Sequence, residues 1–420
     1  MDIQESLNKL FALHTFGVKL GLENIQKFLK SIGNPQSKLK TIHVAGSNGK
    51  GSTSSFIASI LMENGYKVGL YTSPHFVKFN ERISVDGKYI SDDFIAKFID
   101  RHQKLIDEYQ LTFFEVTTAM AFEYFIFSEV DYAVIETGLG GRLDATNVLN
   151  PLACVVTSIS LEHTAILGDK LEQIAFEKGE IIKSGTKTFV GLLPEEAIKV
   201  IEKKCAVVKS PLFCLEEYII QKNDHIDLYT EELEFDEWEV PLIGKHQKYN
   251  AALASLCVIK SFDIDDPAVI TRGIKNVVKN TKLQGRYEII NDKPRLILDS
   301  AHNPEGISCL INQFEKEKNS YIVSSILFGV MSDKNIDEML VTIKNSFTNI
   351  YFYEINYERA ASIGLLSERA EKRDVKFSVV KNLEDFIREQ LKGDKDSCLV
   401  VAGSMYLLGE IKSILPKIKS

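Results

Sequence analysis

A chain of 420 residues exceeds the length at which a single hydrophobic core usually stops growing, so two domains are expected. With 45% apolar and 26% charged residues the composition is that of an ordinary globular protein and excludes a disordered chain. A formal net charge of −8 argues against a sequence-independent grip on nucleic acid, which needs a basic surface to displace counterions.

The first residues, MDIQESLNKLFAL, are acidic where a signal peptide is basic, and no run of about 18 uncharged apolar residues occurs anywhere. The expectation is a cytoplasmic protein with neither membrane nor nucleic acid among its partners. Cys154, Cys205, Cys214, Cys257, Cys309 and Cys398 form no CxxC pair and no metal-ligand spacing, and read as reduced thiols used mostly as small buried hydrophobes.

In chain order, the first segment predicts helix, turn and helix. TIHVAG is an apolar run entering a Gly-rich turn, followed by a helical pattern over 53–64. Buried strands are predicted over 68–71, 132–136, 154–159 and 188–190, interleaved with helices around 92–110, 115–128 and 172–183. Such alternation implies a mostly parallel sheet covered on both faces. Residues 205–240, with HIDLYT and ELEFDEWEV, suggest a small antiparallel excursion. Helices over 247–262 and 266–278 lead to the polar stretch NTKLQGR, which places a domain boundary near 283. Beyond it, strands at YEII, RLILD, YIVSSILFG, IYFYEI and CLVVAG, with a helix after Asn303 and others between, make a second, smaller α/β domain. The division is 1–283 and 284–420.

Gly46, Ser47, Asn48, Gly49, Lys50, Gly51 and Ser52 stand between a predicted strand and helix, where backbone N–H groups can cradle phosphates. Lys50 would neutralise phosphate charge, and a hydroxyl at Ser52 or Thr53 could meet Mg²⁺. The common nucleotide-loop pattern puts four residues between its first Gly and the Gly-Lys pair; here only Ser47 and Asn48 intervene. A tight strand-to-helix turn is the bland alternative.

DYAVIETGLGGRLDATN holds an apolar strand ending in Glu136, a carboxylate at the sheet edge where ligands bind and where Mg²⁺ could be held. Ser73 in YTSPH and His163 in SISLEHT stand at the ends of two other strands. From chemistry alone His163 reads as a surface or phosphate-contacting residue, since Mg²⁺ prefers oxygen. Glu136 could be an exposed strand-end carboxylate, and Lys178 in FEKGEII a solvated helix lysine.

Taken in order, GSNGKGS, YTSPH, LTFFE, ETGLGGRLDATN, LEHT, FEKGEII, GKHQKYNAA, GRYE and LDSAHNPEG resemble the folylpolyglutamate synthase/dihydrofolate synthase family, relatives of the cell-wall Mur ligases. The resemblance spans nearly the whole chain. It implies an N-terminal P-loop ATPase domain with a mostly parallel sheet (1–283) and a Rossmann-like C-terminal glutamate-ligase domain (284–420). Residues Gly46 to Ser52 would bind the triphosphate of ATP, and Ser73, Glu136 and His163 would hold two Mg²⁺ ions, with K⁺ a further candidate ion. Lys178 matches a lysine that these ligases often carry as a carbamate. Asn250 is similar to the residue at the adenine region, and Arg286 to the arginine that reaches the phosphates. Asp299 and His302 correspond to C-domain residues near nucleotide and incoming glutamate. At the pterin end Phe114 would stack, and Arg142 with Asp144 would hydrogen-bond. The bland alternatives are turn, cap and surface roles for Asn250, Arg286, Asp299 and His302, and a core role for Phe114. Ser47 departs from the family's usual threonine but keeps the hydroxyl.

The implied reaction adds L-glutamate to a folate or dihydropteroate carboxylate through an acyl phosphate, in a monomer whose 279–287 stretch acts as a hinge. Two rivals remain at this level: a Mur-type ligase acting on a nucleotide-sugar peptide, and a switch protein that only hydrolyses ATP.

Overall fold

The structure is a computed structural model and describes residues 2–13, 21–222, 225–231, 233–235 and 238–419. It falls into two compact units. The first takes in the chain up to Pro74, Phe79–Pro241 and Gln247–Leu283; the second is Gln284–Ser420 together with two short segments from earlier in the chain, His75–Lys78 and Leu242–His246. The chain therefore passes between the units on both sides of each short segment, as well as at 283–284.

The first unit is built on an eight-stranded sheet. Its strands are β1 (Thr41–Ala45), β2 (Val68–Tyr71), β3 (Ile83–Val85), β4 (Lys88–Tyr89), β5 (Tyr132–Glu136), β6 (Ala153–Val156), β7 (Lys187–Val190) and β8 (Leu212–Cys214), in the order β4-β3-β2-β5-β1-β6-β7-β8. Pairing is parallel from β2 to β8; β3 and β4 add an antiparallel edge. The central strand β1 is buried at every position, as a strand covered on both faces must be. Sequence order reverses on either side of β1, which places a crevice at the carboxyl ends of β1, β5 and β6, where open α/β sheets bind ligands.

Three local features differ from the sequence expectation. The helix after β1 runs Lys50–Glu63, starting three residues early, because Gly49 in the left-handed region (φ 83°) turns the chain straight into it. The helix expected from 115 begins at Phe113: Thr112 and Glu115 form a reciprocal capping box, with Glu115 Oε2 accepting from Thr112 N at 2.8 Å and Thr112 Oγ1 accepting from Glu115 N at 3.3 Å. In the stretch read as an antiparallel excursion, the helix Glu195–Val208 and β8 belong to the main α/β pattern. Only β9 (Ile219–Lys222), β10 (His225–Tyr229) and β11 (Glu234–Phe235) form the antiparallel sheet. Residues 223–224, 232 and 236–237 of that stretch, and 14–20 of the turn expected between the first two helices, lie outside the described residues.

The second unit carries β12 (Glu288–Asp292), β13 (Arg295–Leu298), β14 (Val323–Phe328), β15 (Asn349–Phe352), β16 (Ser378–Val379) and β17 (Ser397–Ala402), ordered β12-β13-β17-β14-β15-β16. All pairs are parallel except the β12–β13 edge. Alternate residues feed opposite layers. Ile297, Ile326, Phe328, Val400 and Ala402 pack into one core, and Leu296, Leu298, Leu327, Leu399 and Val401 into the other, the period of two that a doubly covered sheet requires. Both units are thus α/β with mostly parallel sheets. Among the described residues no helix is long and apolar enough to cross a membrane.

Candidate active site

The phosphate loop leaves β1 at Ala45 and is tied to the segment after β6. Ser47 N donates to Ser158 O at 2.9 Å and Asn48 N to Ser158 Oγ at 2.8 Å. Thr157 Oγ1 donates to Asn48 O at 2.6 Å, and Ser47 Oγ accepts from Ser160 N at 3.0 Å. These partners, in the run TSIS, were not singled out by sequence reading; three hydroxyl-bearing residues within four positions directly after an apolar strand are the signal that was there. Asn250 is buried against the same loop: a Cβ at Gly49 would meet its Oδ1 at 2.5 Å, and its Nδ2 donates to Gln247 Oε1 at 3.1 Å.

Two lysines converge on one carbonyl. Lys50 Nζ donates to Gly46 O at 2.8 Å and to Ser47 O at 3.2 Å; Lys178 Nζ donates to Gly46 O at 2.9 Å and to Glu162 Oε1 at 2.7 Å. Lys178 is only 1% exposed, so it is no solvated helix lysine. Burial pushes its ammonium down despite the neighbouring carboxylate. Burial also works against the charge on Glu162, but Lys178, and then Lys50, outweigh it and hold that carboxyl at about 2. Glu162 is the residue the sequence reading missed, though it precedes His163 directly. At the start of the helix, Ser52 and Thr53 are buried and their hydroxyls have no hydrogen-bond partner among the described residues; the same holds for Thr137, one residue past Glu136. Buried orphan oxygens beside a phosphate loop fit a site that a cation or phosphate completes.

Glu136, at the end of β5, is buried, and its Oε2 accepts from Ser73 N at 3.0 Å, so these two strand tips meet. His163 is half-buried with a left-handed backbone (φ 46°) at the head of a short helical turn. Phe114 lies over Gly138, where a Cβ would meet its ring at 2.5 Å, and near Tyr71 at 6.0 Å between centroids. Arg142 pairs with Glu177 at 3.0 Å and lies 5.9 Å from the Phe176 ring centroid. Asp144 is buried with both oxygens accepting hydrogen bonds from its own loop, and burial raises its pKa.

His43, three residues before Gly46, is also buried, and its Nε2 lies 2.8 Å from Thr146 Oγ1. Burial, and secondarily Lys183, push its pKa down to about 3. The unfolded imidazole takes its proton near pH 6.5, so between there and about pH 3 the unfolded state binds a proton that the folded state does not. Stability is then lost as pH falls through this window. His43→Val should flatten that acid limb by up to about 1.4 kcal/mol per pH unit, read as the pH dependence of urea denaturation; an unchanged slope would contradict a buried neutral His43.

Arg286, Asp299 and His302 belong to the second unit. Asp299, at the end of β13, accepts from Tyr287 N at 2.7 Å and Ala301 N at 2.8 Å, and burial raises its pKa, opposed by these bonds and by Arg286. Arg286 NH1 donates to Gly285 O at 3.1 Å. Burial, then Arg286, lower the pKa of His246 to about 4. His302 Nδ1 lies 2.8 Å from Ser300 O, and Asn303 Oδ1 caps the following helix by accepting from Gly306 N at 2.8 Å.

Comparison with known proteins gives this arrangement a family. Residues 44–258 match the Mur ligase middle domain, and residues 285–405 the Mur ligase glutamate ligase domain. The chain is 35% identical over 417 residues to the dihydrofolate synthase/folylpolyglutamate synthase of Bacillus subtilis (strain 168), covering 95% of this chain and 96% of that protein. Among solved structures it is similar to E. coli FolC in complex with DHPP and ADP (TM-score 0.89, 27% identity, 100% of this chain and 99% of that one). It is also similar to the bifunctional folylpolyglutamate synthase/dihydrofolate synthase from Yersinia pestis CO92 complexed with AMPPNP and Mn ion (TM-score 0.87, 27% identity, 99% and 98%). Matched by both Mur ligase domains and by these relatives over nearly its full length, the chain belongs to the folylpolyglutamate synthase/dihydrofolate synthase family of Mur ligases and is a ligase of that family.

Proposed function

We propose that this chain joins L-glutamate to the carboxylate of a folate or dihydropteroate, driven by ATP, through an acyl phosphate. The observation that carries the reading is the phosphate loop with two lysines on one carbonyl and orphan hydroxyls at Ser52 and Thr53, set beside a strand-end carboxylate in a family of this activity. The similar E. coli and Y. pestis structures, which hold ADP with DHPP and AMPPNP with Mn, support ATP, a folate and a divalent cation as ligands here.

A carboxylate resists attack by an amine because oxide is an impossible leaving group at neutral pH. Transfer of the γ-phosphoryl group to the carboxylate oxygen turns that leaving group into phosphate. The glutamate amine then attacks the acyl carbon, and the tetrahedral intermediate expels inorganic phosphate. Loop amides from Gly46 to Ser52 hold the phosphate chain, and Lys50 offsets the charge of the transferring group. Ser73, Glu136 and His163 are the residues that would hold the cation, two Mg²⁺ ions in the full reading, and when bound it neutralises phosphate charge. Lys178 as an ammonium donates to Gly46 O and Glu162; as a carbamate it would face Glu162 with like charge, so a carbamate there requires a cation between them. Phe114 and Arg142 receive the pterin while Asp144, its oxygens taken by its own loop, holds that loop in place; Asn250 supports the loop under the nucleotide, and the second unit carries Asp299 and His302 as its residues for nucleotide and glutamate.

The test is ATP-dependent incorporation of labelled glutamate by the purified protein, in parallel with dihydropteroate and with tetrahydrofolate, with Mg²⁺ and K⁺ present. Label on either acceptor is the expected result. ATP hydrolysis without label on any folate would overturn the reading in favour of another Mur-type acceptor or a switch.

A further inference from the structure

Three backbone N–H groups donate to the two oxygens of Asp144 and favour its ionised form, for which the hydrogen bonds around it have only one consistent direction. Its Oδ2 accepts from Gly138 N at 2.9 Å and Leu139 N at 2.8 Å; its Oδ1 accepts from Thr146 N at 3.0 Å and Thr146 Oγ1 at 2.5 Å. An ionised carboxylate has no proton to give, so the single hydroxyl proton of Thr146 goes to Asp144. Thr146 Oγ1 then has only lone pairs left for His43 Nε2, 2.8 Å away, and the imidazole must be the donor. His43 is thereby fixed as the Nε2–H tautomer, with Nδ1 buried and without a hydrogen-bond partner among the described residues.

This chain of bonds runs from the middle of β1, the strand that delivers the phosphate loop, to the loop that follows β5. Stability alone does not account for it. Position 43 lies inside a fully buried strand of a doubly covered sheet, where a β-branched aliphatic side chain would be at home. The imidazole there is desolvated and leaves one nitrogen unsatisfied, a cost that an apolar residue would avoid.

We infer that His43 and Thr146 are positioning residues for the acceptor: they set the Asp144 carboxylate, and through it the Gly138–Leu139 backbone over which Phe114 lies. This rests on the functional reading above, since the acceptor pocket is assigned there. Neither residue touches the acceptor. Their effect should fall on how the acceptor is held, and not on the nucleotide.

Thr146→Val keeps the side-chain volume and removes the relay; Thr146→Ser keeps the hydroxyl. In T146V, amide hydrogen exchange over 138–141 should accelerate, and KM for the folate acceptor should rise about tenfold while kcat and KM for ATP stay within about twofold. T146S should restore wild-type exchange and KM. If T146V does not fold, His43→Val removes the donor from the strand side, with the same expected readouts. Unchanged exchange and acceptor KM in a variant of an active enzyme, or acceptor and ATP KM rising together, would overturn the inference and leave the ligase reading standing. A wild type that joins glutamate to no folate would sink that reading, and with it the acceptor role of His43 and Thr146, whatever the exchange shows.

Discussion

Glu136→Ala should lower the rate of glutamate incorporation by about 100- to 1000-fold, the scale seen when one electrostatic contributor to a transition state is removed. The residue ends β5 between β2 and β1, with its backbone in register beside Val44, and its carboxylate is buried at 4% exposure. One oxygen is occupied by the Ser73 N–H. Its use in the proposed site is to bring negative charge to a cation beside the phosphate loop. Glu136→Gln separates that use from packing: the amide keeps the volume and can still accept from Ser73 N, but has no charge. The glutamine variant should therefore be nearly as slow as the alanine variant, with the folded circular dichroism spectrum of the wild type. A wild-type rate for Glu136→Ala at saturating Mg²⁺ would remove Glu136 from the site.

Lys178→Met should be damaging in two separable ways. The methionine fills similar space but leaves the buried Glu162 without the ammonium that hydrogen-bonds it, and removing one partner of a buried pair costs about 3–5 kcal/mol. The pair is sealed from solvent, with side-chain exposures of 2% and 6%. The double variant Lys178→Met with Glu162→Gln replaces a stranded carboxylate by a neutral amide and should recover most of that loss in urea denaturation. Turnover should not recover with it, because Lys178 also meets the Gly46 carbonyl beneath the phosphate loop. Equal stability of wild type and Lys178→Met would mean that Glu162 is relieved by water or by protonation, and that the ion pair is not what holds the loop. Recovery of turnover in the double variant would reduce Lys178 to a structural role.

Much of the fold was legible because the signals were local. Residues 68–71 and 132–136 are continuous apolar runs with clear ends, and they are strands with those bounds. The strand expected over 154–159 stops at Val156; beyond it Thr157 Oγ1, Ser158 Oγ and the backbone of Ser158 and Ser160 bond to the phosphate loop. Two local signals were present and passed over. Asp86-Gly87, both with positive φ, is a primed-turn dipeptide that makes the β3–β4 hairpin. Thr112-x-x-Glu115 is a capping box that starts a helix two residues before its apolar pattern does. The helix Glu195–Val208 was legible too, with Ala197, Ile201 and Cys205 buried at four-residue spacing, but the acidic, alternating stretch after it drew the reading toward strands.

The candidate site divides along the same line. The glycines and lysine of the loop declare themselves in sequence because a backbone turn needs them there. The environment of Lys178 does not: its partners are 16 and 132 residues away, and whether a helix lysine is solvated or sealed depends on which strand loop the fold brings over it. The same holds for His43, which in sequence is one polar letter in TIHVA and in the fold is bonded to a residue 103 positions later.

The assignment of His75–Lys78 to the second unit bears on how this protein can be taken apart. In that unit the Phe76 carbonyl sits where a Cβ on Gly409 would come within 2.1 Å, its ring lies against Gly285, and Lys412 Nζ is 5.7 Å from the ring centroid. A fragment expressed from Gln284 onward would have every strand of its sheet yet lack Phe76, whose ring packs on Gly285 and whose carbonyl packs on Gly409. Dissection of this enzyme into independently produced halves therefore needs a graft of the 75–78 and 242–246 peptides, and the stretch of gene that encodes the second body is not a single interval.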